Sequence, residues 1–135
     1  MNKKLLFAGL FLIGTVLFFG ACKSTPEKKM IGTWIVKTVE VDFDEMKSTP
    51  EMVNQVIEKE NRMQLEFVSD SILLIKDDHA SHRTVWSLNP NGGIFFRFEN
   101  SPQFNLLGTY DTEEKSITTN SSTPLGTINV VYKKE

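Results

Sequence analysis

Residues 89 to 98, NPNGGIFFRF, join the strongest turn signal of the chain to a strand and so decide the fold class. Asn-Pro and Gly-Gly pairs mark turns. After this turn Ile94, Phe96 and Phe98 alternate with residues that point to the opposite face, as in a β-strand. The preceding segment, 82–88, is also rich in β-branched and aromatic residues. Two such segments around a short turn predict an antiparallel hairpin.

The same pattern extends over most of the chain, with short polar turns between the segments. Strands are predicted at 33–41, 63–68, 71–76, 82–88, 94–98, 104–111, 115–119 and 127–133. Many short strands separated by short turns are typical of an antiparallel barrel or sandwich. We therefore predict a mostly β, eight-stranded up-and-down barrel. An open two-sheet sandwich is the alternative.

One segment has helical rather than strand periodicity. Ser48 or Thr49 can cap a helix, Pro50 suits its first turn, and Glu51 completes a capping box with Ser48. Apolar residues then recur at helical spacing up to about Arg62. The sequence predicts one helix between the first and second strands, lying across one end of the barrel.

The N-terminus has the order of a secretory signal: basic Lys3 and Lys4, an apolar run, then small residues. The sequence Phe19-Gly20-Ala21-Cys22 resembles the lipobox of bacterial lipoproteins. That resemblance implies cleavage after residue 21, acylation of Cys22 (for instance by palmitate) and attachment to the membrane of the cell envelope. Lys23 follows the cysteine in place of the Asp of inner-membrane retention signals, which by the same resemblance implies the outer membrane. A retained membrane-spanning segment is the alternative.

The segments after the signal are a short tether and one domain. Residues 22–29 are polar and contain Pro26, which predicts a flexible tether, and residues 30–135 form the domain. Of 15 basic residues, 13 remain once Lys3 and Lys4 are removed, against 17 acidic ones, a net charge of −4. A nucleic-acid partner is not expected, because such proteins carry a clustered basic surface.

The start of the domain carries a motif of three residues, Gly32-Thr33-Trp34. At the head of an eight-strand pattern it resembles the Gly-x-Trp opening of lipocalin-like barrels. The resemblance implies that Gly32 permits a tight entry into the first strand and that Trp34 plugs the closed end. It also implies a cation on the last strand beside the Trp face, Lys133 or Lys134.

An eight-stranded barrel either fills its interior with side chains or holds one small ligand. For a binding module, with a small hydrophobic ligand as its partner, we predict a lining from the barrel and from the helix. These residues are Met52, Ile57, Trp86, Phe96, Phe98, Leu106 and Tyr110. The alternative is a filled core, with loops 89–93 and 120–125 contacting an envelope component.

Motifs for catalysis or cofactor binding are not evident in the sequence, so an enzyme is not expected and no cofactor or metal is predicted. His79 and His82 lie beside Asp77 and Asp78, which is a donor set that a divalent metal accepts. The segment reads as the polar tip of a hairpin, however, and loop tips are commonly polar without a site. Cys22 is assigned to acylation.

Overall fold

A computed structural model describes residues 25–135, which form a closed barrel of eight antiparallel strands in sequence order. The elements are α1 (Pro26–Met30), β1 (Gly32–Phe43), α2 (Pro50–Asn61), β2 (Gln64–Phe67), β3 (Ile72–Lys76), β4 (Ser81–Leu88), β5 (Gly93–Phe98), β6 (Asn105–Asp111), β7 (Ser116–Thr123) and β8 (Gly126–Lys134). The predicted barrel and the helix between the first two strands are confirmed, and the sandwich is excluded. The predicted signal peptide and the predicted acylation of Cys22 lie outside the described residues.

Strand β1 divides the barrel into two parts because its two edges pair over different lengths. On one side β1 pairs with β8 from Trp34 to Phe43. On the other it pairs with β2 only over Gly32 to Ile35. The second half of β1 therefore has no strand on that side within residues 25–135, and α2 packs against β1.

One half of the interior is filled by large side chains. Residues directly opposite each other in an antiparallel pair share a face, which assigns the inner face through the strand registers. We call the following set the closed half: Met30, Trp34, Phe67, Trp86, Ile94, Tyr110 and Ile117. All seven are buried, with at most 8% of their surface exposed. The aromatic rings of this set meet edge to face, for example Phe67 on Trp86 with 4.8 Å between centroids.

The structure differs from the predicted flexible tether, because its second half is the helix α1. The indole Nε1 of Trp34 donates to the carbonyl oxygen of Met30 at 2.8 Å. Nζ of Lys134 donates to the carbonyl oxygen of Lys29 at 3.0 Å. These bonds satisfy carbonyl groups that a helix C-terminus leaves unpaired. The side chain of Met30 supplies the reason for the fixed position, since it is fully buried in the core.

Helix α1 lies at the end of the barrel where β1 begins. The clefts beside it are lined by the β2–β3, β4–β5 and β6–β7 connections, which all lie at that end. We call it the closed end, and the opposite end, where β1 runs into α2, the open end. Neither helix of residues 25–135 has the length and hydropathy needed to cross a bilayer.

Candidate ligand-binding site

The inner face of the other half of the barrel remains accessible to solvent. We call this set of inward-facing side chains the open half: Val39, Val41, Phe43, Ile75, Phe96, Phe98 and Ile128. Each is at least partly exposed, and Phe98 is 42% exposed although it points into the barrel. Strand β7 adds hydroxyl groups to the same face, since Thr119 and Ser121 pair with inward-facing residues of β8. The open half is thus apolar with a polar wall.

A cleft of about 540 Å³ lies at the open end between β1 and α2. Its apolar lining comes from Val41 and Phe43 of β1 and from Val53 of α2. Its polar lining is Asp42, Glu45, Ser48, Thr49 and Asn54, with Pro50 at the start of the helix. Small-molecule sites are typically concave, mostly apolar, and about 300–1,000 Å³ in volume. The cleft therefore has the volume of a small-molecule site, and its lining combines apolar and polar side chains.

Local hydrogen bonds fix the start of α2 over this cleft. Thr49 is the N-cap, and its hydroxyl accepts from the backbone N–H of Met52 at 3.2 Å. The Ser48 hydroxyl donates to the carbonyl oxygen of Asp44 at 2.8 Å, which holds the connection from β1. Pro50 follows the cap in the first turn. The sequence left Ser48 and Thr49 open as caps, and the structure selects Thr49.

Helix α2 presents a different set of residues to the barrel from the two predicted for its lining. Val53, Val56 and Ile57 are half-buried, whereas Met52 is 37% exposed. Residues 53, 56 and 57 fall on one helical face, and Met52 lies about 100° away from Val53 around the helix. Of the four, only Val53 lines the cleft in the described part of the chain. Met52 and Ile57 thus lie outside the lining of this cleft, and their predicted role at a ligand site stays a prediction.

Phe96 and Phe98, both predicted to line a site, lie together in the open half. Their rings meet edge to face with 5.7 Å between centroids. The imidazole of His82 lies 6.5 Å from the Phe98 ring, also edge to face. Beneath them the buried Thr84 hydroxyl donates to the carbonyl oxygen of Leu73 at 2.7 Å. Thr84, the residue opposite Phe98 in the strand register, is therefore buried, whereas Phe98 itself stays accessible to solvent.

Trp86 and Tyr110, by contrast, belong to the closed half, and their predicted role in lining a ligand site stays a prediction. Trp86 is 2% exposed, and its Nε1 donates to the carbonyl oxygen of Ser69 at 2.9 Å. Tyr110 packs edge to face on Trp34 with 5.9 Å between centroids. Both rings pack against neighbouring aromatic side chains and fill the interior of the closed half.

Leu106 is also placed differently from the prediction. It is 62% exposed and pairs with Phe95 on the outer face of the barrel. The reason is a register shift between β5 and β6: Ile94 pairs with Gly108, and the next pair is Phe95 with Leu106. The extra residue, Leu107, packs against the core in its place. A bulge of this kind reverses the faces of all residues beyond it.

The Gly-x-Trp motif lies at the closed end. Gly32 has a φ of +134°, and a Cβ there would lie 2.7 Å from Cε of Lys134. Of the two predicted cations, Lys134 is opposite Trp34 in the strand register. Lys133 is opposite Ile35, and its Nζ donates to the carbonyl oxygen of Glu114 at 2.7 Å. Lys134 is therefore the lysine opposite Trp34, and its hydrogen bond goes to the backbone of α1.

Among residues 25–135, two titratable groups have clearly shifted pKa values, Tyr132 and Asp77. Burial raises the pKa of Tyr132 above its ordinary value, with a smaller contribution from the negative charge of Glu60 on α2. Backbone N–H groups of His79 and Ala80 lower the pKa of Asp77, because they donate to its carboxylate at the β3–β4 turn. Within residues 25–135 no group of three or more His, Cys, Asp or Glu side chains is placed to hold a metal.

No family model, no curated protein and no solved structure matches this chain. Its function is therefore argued from the geometry of the barrel.

Sequence reasoning missed Val41, Phe43 and Val53 as lining residues of the cleft. The signal for the first two lies in β1, where the register shifts between Val36 and Thr38. Trp34 and Val36 share the inner face before the shift, and Val39, Val41 and Phe43 share it afterwards. The change of phase is visible in the sequence once the strand is extended to Phe43. Val53 follows from helical spacing once Thr49 is taken as the cap.

Proposed function

We propose that this protein is a lipid-anchored, lipocalin-like barrel of the bacterial envelope that binds one small apolar or amphipathic molecule at its open end. The observation that carries the proposal is the accessibility of the open half. Apolar side chains that face the inside of an eight-stranded barrel are expected to be buried, because the interior is just wide enough for them to fill. Here Phe98 faces inward and is 42% exposed.

The composition of the open half favours an amphipathic molecule. Phe96 and Phe98 offer ring faces and edges, and Val41, Phe43 and Val53 supply the apolar part of a cleft of about 540 Å³. Hydroxyl groups at Thr119 and Ser121 of β7 lie on the inner face between these two surfaces. A ligand with an apolar body and at least one hydrogen-bonding group satisfies both surfaces.

A matched pair of substitutions tests the proposal. Phe98→Asp places a charge in the open half, and Leu106→Asp places the same charge on the outer face of the neighbouring strand. The probe is cis-parinaric acid, titrated by fluorescence into a chain that begins at Ser24 and so retains all described elements. We expect Phe98→Asp to weaken binding about tenfold or more, because an apolar site penalises a buried charge. Leu106→Asp should change it less than about twofold.

Equal weakening by the two substitutions would contradict the proposal, since the probe would then bind to the outside. Circular dichroism of both variants separates lost binding from lost folding. Binding of the probe at several equivalent sites would also count against a single interior site.

The anchor is tested separately from the ligand. We expect the intact protein to incorporate an alkynyl palmitate analogue in cells, and Cys22→Ala to abolish that labelling because the acylated thiol is removed. A labelled Cys22→Ala variant, or an unlabelled intact protein, would contradict the lipid anchor and leave the ligand site unaffected.

A second candidate function has one observation in its favour, on the outer face. Leu106 is 62% and Phe104 47% exposed, and the guanidinium of Arg97 lies 5.6 Å from the centroid of the Phe104 ring. Aromatic and Arg side chains are enriched among residues that anchor protein interfaces. An envelope protein-interaction module would use this face. Leu106→Asp would then impair the biological role while Phe98→Asp left it intact, the reverse of the order expected for ligand binding.

A further inference from the structure

Three lysines line one cleft of the closed end, remote from the proposed ligand site. The cleft has a volume of about 460 Å³ and is lined by Lys29 of α1, Lys115 of the β6–β7 turn and Lys134 of β8, together with Tyr110 and Thr112. Among residues 25–135 the lining includes no carboxylate. The acidic Glu27 and Asp70 line the two neighbouring clefts around α1 instead. The chain has more acidic than basic residues, and Asp111 at the end of β6 and Glu113 and Glu114 of the β6–β7 turn lie outside this lining.

The fold brings these lysines together from three distant parts of the chain. Nζ of Lys134 uses one of its three protons for the carbonyl oxygen of Lys29, which keeps it beside α1 and leaves two for another acceptor. Lys115 is the one residue other than glycine among the described residues with a positive φ, 52°. Glycine is the usual residue for that conformation. The backbone therefore does not explain a lysine there, whereas a role for its side chain does.

The chemistry of the cleft suits a phosphate. Ammonium groups are point-charge donors that bind phosphate oxygens, and the hydroxyl of Thr112 supplies a neutral donor. Basic pockets beside a membrane bind anionic headgroups. We infer that the cleft lined by Lys29, Lys115 and Lys134 binds the phosphate of an anionic phospholipid headgroup, so that the closed end of the barrel docks on the bilayer and the open end points away from it.

The length of chain before α1 supports the bilayer as the source of the phosphate. This step rests on the proposed acylation of Cys22. Three residues separate Cys22 from Pro26, and the four steps of an extended chain between them cover at most about 14 Å. Helix α1 is itself fixed to the barrel by the buried side chain of Met30. The closed end is then held close to the headgroups. Ile31 and Val68, 37% and 50% exposed at the same end, are apolar surface that suits this interface.

The test uses the full chain in a neutral detergent, so that it does not depend on acylation. Amide NMR signals of Thr112 and Lys115 are followed during titration with dihexanoyl phosphatidylglycerol, dihexanoyl phosphatidylcholine or inorganic phosphate. We expect saturable shifts with phosphatidylglycerol. The triple variant Lys29→Gln, Lys115→Gln, Lys134→Gln should weaken that binding about tenfold or more. A control triple, Lys37→Gln, Lys47→Gln, Lys59→Gln, removes the same charge elsewhere and should change it less than about twofold.

Each other outcome would overturn the inference. Equal effects of the two triples would show that net charge rather than the cleft attracts the lipid. Equal affinity for phosphatidylcholine would exclude selection by charge. Equal affinity for inorganic phosphate would assign the cleft to a free anion rather than to a headgroup. If the triple variant is unfolded, the double variant Lys29→Gln, Lys115→Gln replaces it, with Lys37→Gln, Lys47→Gln as its control. The double variant is expected to fold, because the side chains of Lys29 and Lys115 donate no hydrogen bond within residues 25–135. Failure here leaves parinaric acid binding at the open end unaffected.

Discussion

Aromatic side chains lie in both halves of the barrel, but they are buried in the closed half and partly exposed in the open half. In the closed half, Trp34, Phe67, Trp86 and Tyr110 lie edge to face and are at most 8% exposed. In the open half, Phe96 and Phe98 also lie edge to face, yet Phe98 is 42% exposed. The difference is what covers the rings. The five-residue helix α1 seals one end with Met30, whereas α2 lies beside β1 and all of its described residues keep some exposure.

The comparison teaches that an aromatic cluster stabilises the fold only where it is covered. Free energy from apolar burial is proportional to the area removed from water. The closed half removes nearly all of its area, and the open half leaves part of it for another molecule to cover. Substitutions in the closed half are thus expected to lower the stability of the fold, and substitutions in the open half to weaken ligand binding.

The largest effect on stability is expected for Trp34→Ala. The substitution removes ring contacts with Phe67 and Tyr110 and the hydrogen bond to the carbonyl oxygen of Met30. We expect the free energy of unfolding to fall by about 3–5 kcal/mol, as for other large buried side chains. Urea unfolding measures it. Phe98→Ala is the control, with an expected loss of about 1 kcal/mol or less. A loss of equal size for the two variants would contradict the division into halves.

Met30→Ala is expected to have the next largest effect. Met30 is fully buried, so its truncation leaves a cavity under α1. We expect a loss of about 2–3 kcal/mol, at the low end of the range for Met→Ala because a helix of only five residues can adjust its position. Thermal unfolding measures it. An unchanged midpoint would mean that α1 is the flexible tether that the sequence suggested.

Alkaline pH should weaken the fold through Tyr132. Burial raises the pKa of its hydroxyl, so the folded state holds the proton after the unfolded state has released it. The contribution is therefore fully present below about pH 10, the unfolded value, and is lost as pH rises above it, by about 1.4 kcal/mol per pH unit. We expect Tyr132→Phe to reduce this slope in urea unfolding between pH 10 and 11. An identical slope in the variant would exclude Tyr132 as its source.

The smallest effect is expected at Asp77, at the open end. Its carboxylate accepts from the N–H groups of His79 and Ala80, which lower its pKa. Its contribution to stability is present above about pH 4, the ordinary value, and is lost as pH falls below it. We expect Asp77→Asn to flatten the acid limb of the stability curve slightly. A steeper loss of stability at acid pH in the variant would contradict a lowered pKa of Asp77 in the folded state.

Strand positions could be predicted well from the sequence because alternation of apolar side chains is a local signal. The hairpin around Asn89–Gly93 and the helix from Pro50 both occur as predicted. Strand β7 is longer than predicted, because residues 120–123 pair with β8 although they are polar and were expected in a loop. Residues 120–123 are a strand because they pair with β8, and their own sequence has no alternation that would predict it.

The candidate site was predictable only in part, for two physical reasons. Periodicity fixes the face of a residue only until a bulge, and the register shift before Leu106 placed that side chain outside the barrel. Periodicity also cannot show depth along the barrel axis. Phe98 and Trp86 both point inward, but the cover supplied by α1 and the β2–β3 connection decides which ring is sealed. Helix α1 was missed because a five-residue helix held by tertiary contacts has almost no sequence signal of its own.

The most direct test of the central claim compares the two halves in one spectrum. The chain that begins at Ser24 is labelled with 4-fluorophenylalanine, its ¹⁹F signals are assigned by single Phe→Leu substitutions, and oleate is added. We predict that the signals of Phe96 and Phe98 in the open half shift and saturate at one oleate per chain, while that of Phe67 in the closed half stays in place. Shifts confined to Phe95 and Phe104 on the outer side, or an equal shift of Phe67, would contradict a ligand site in the open half.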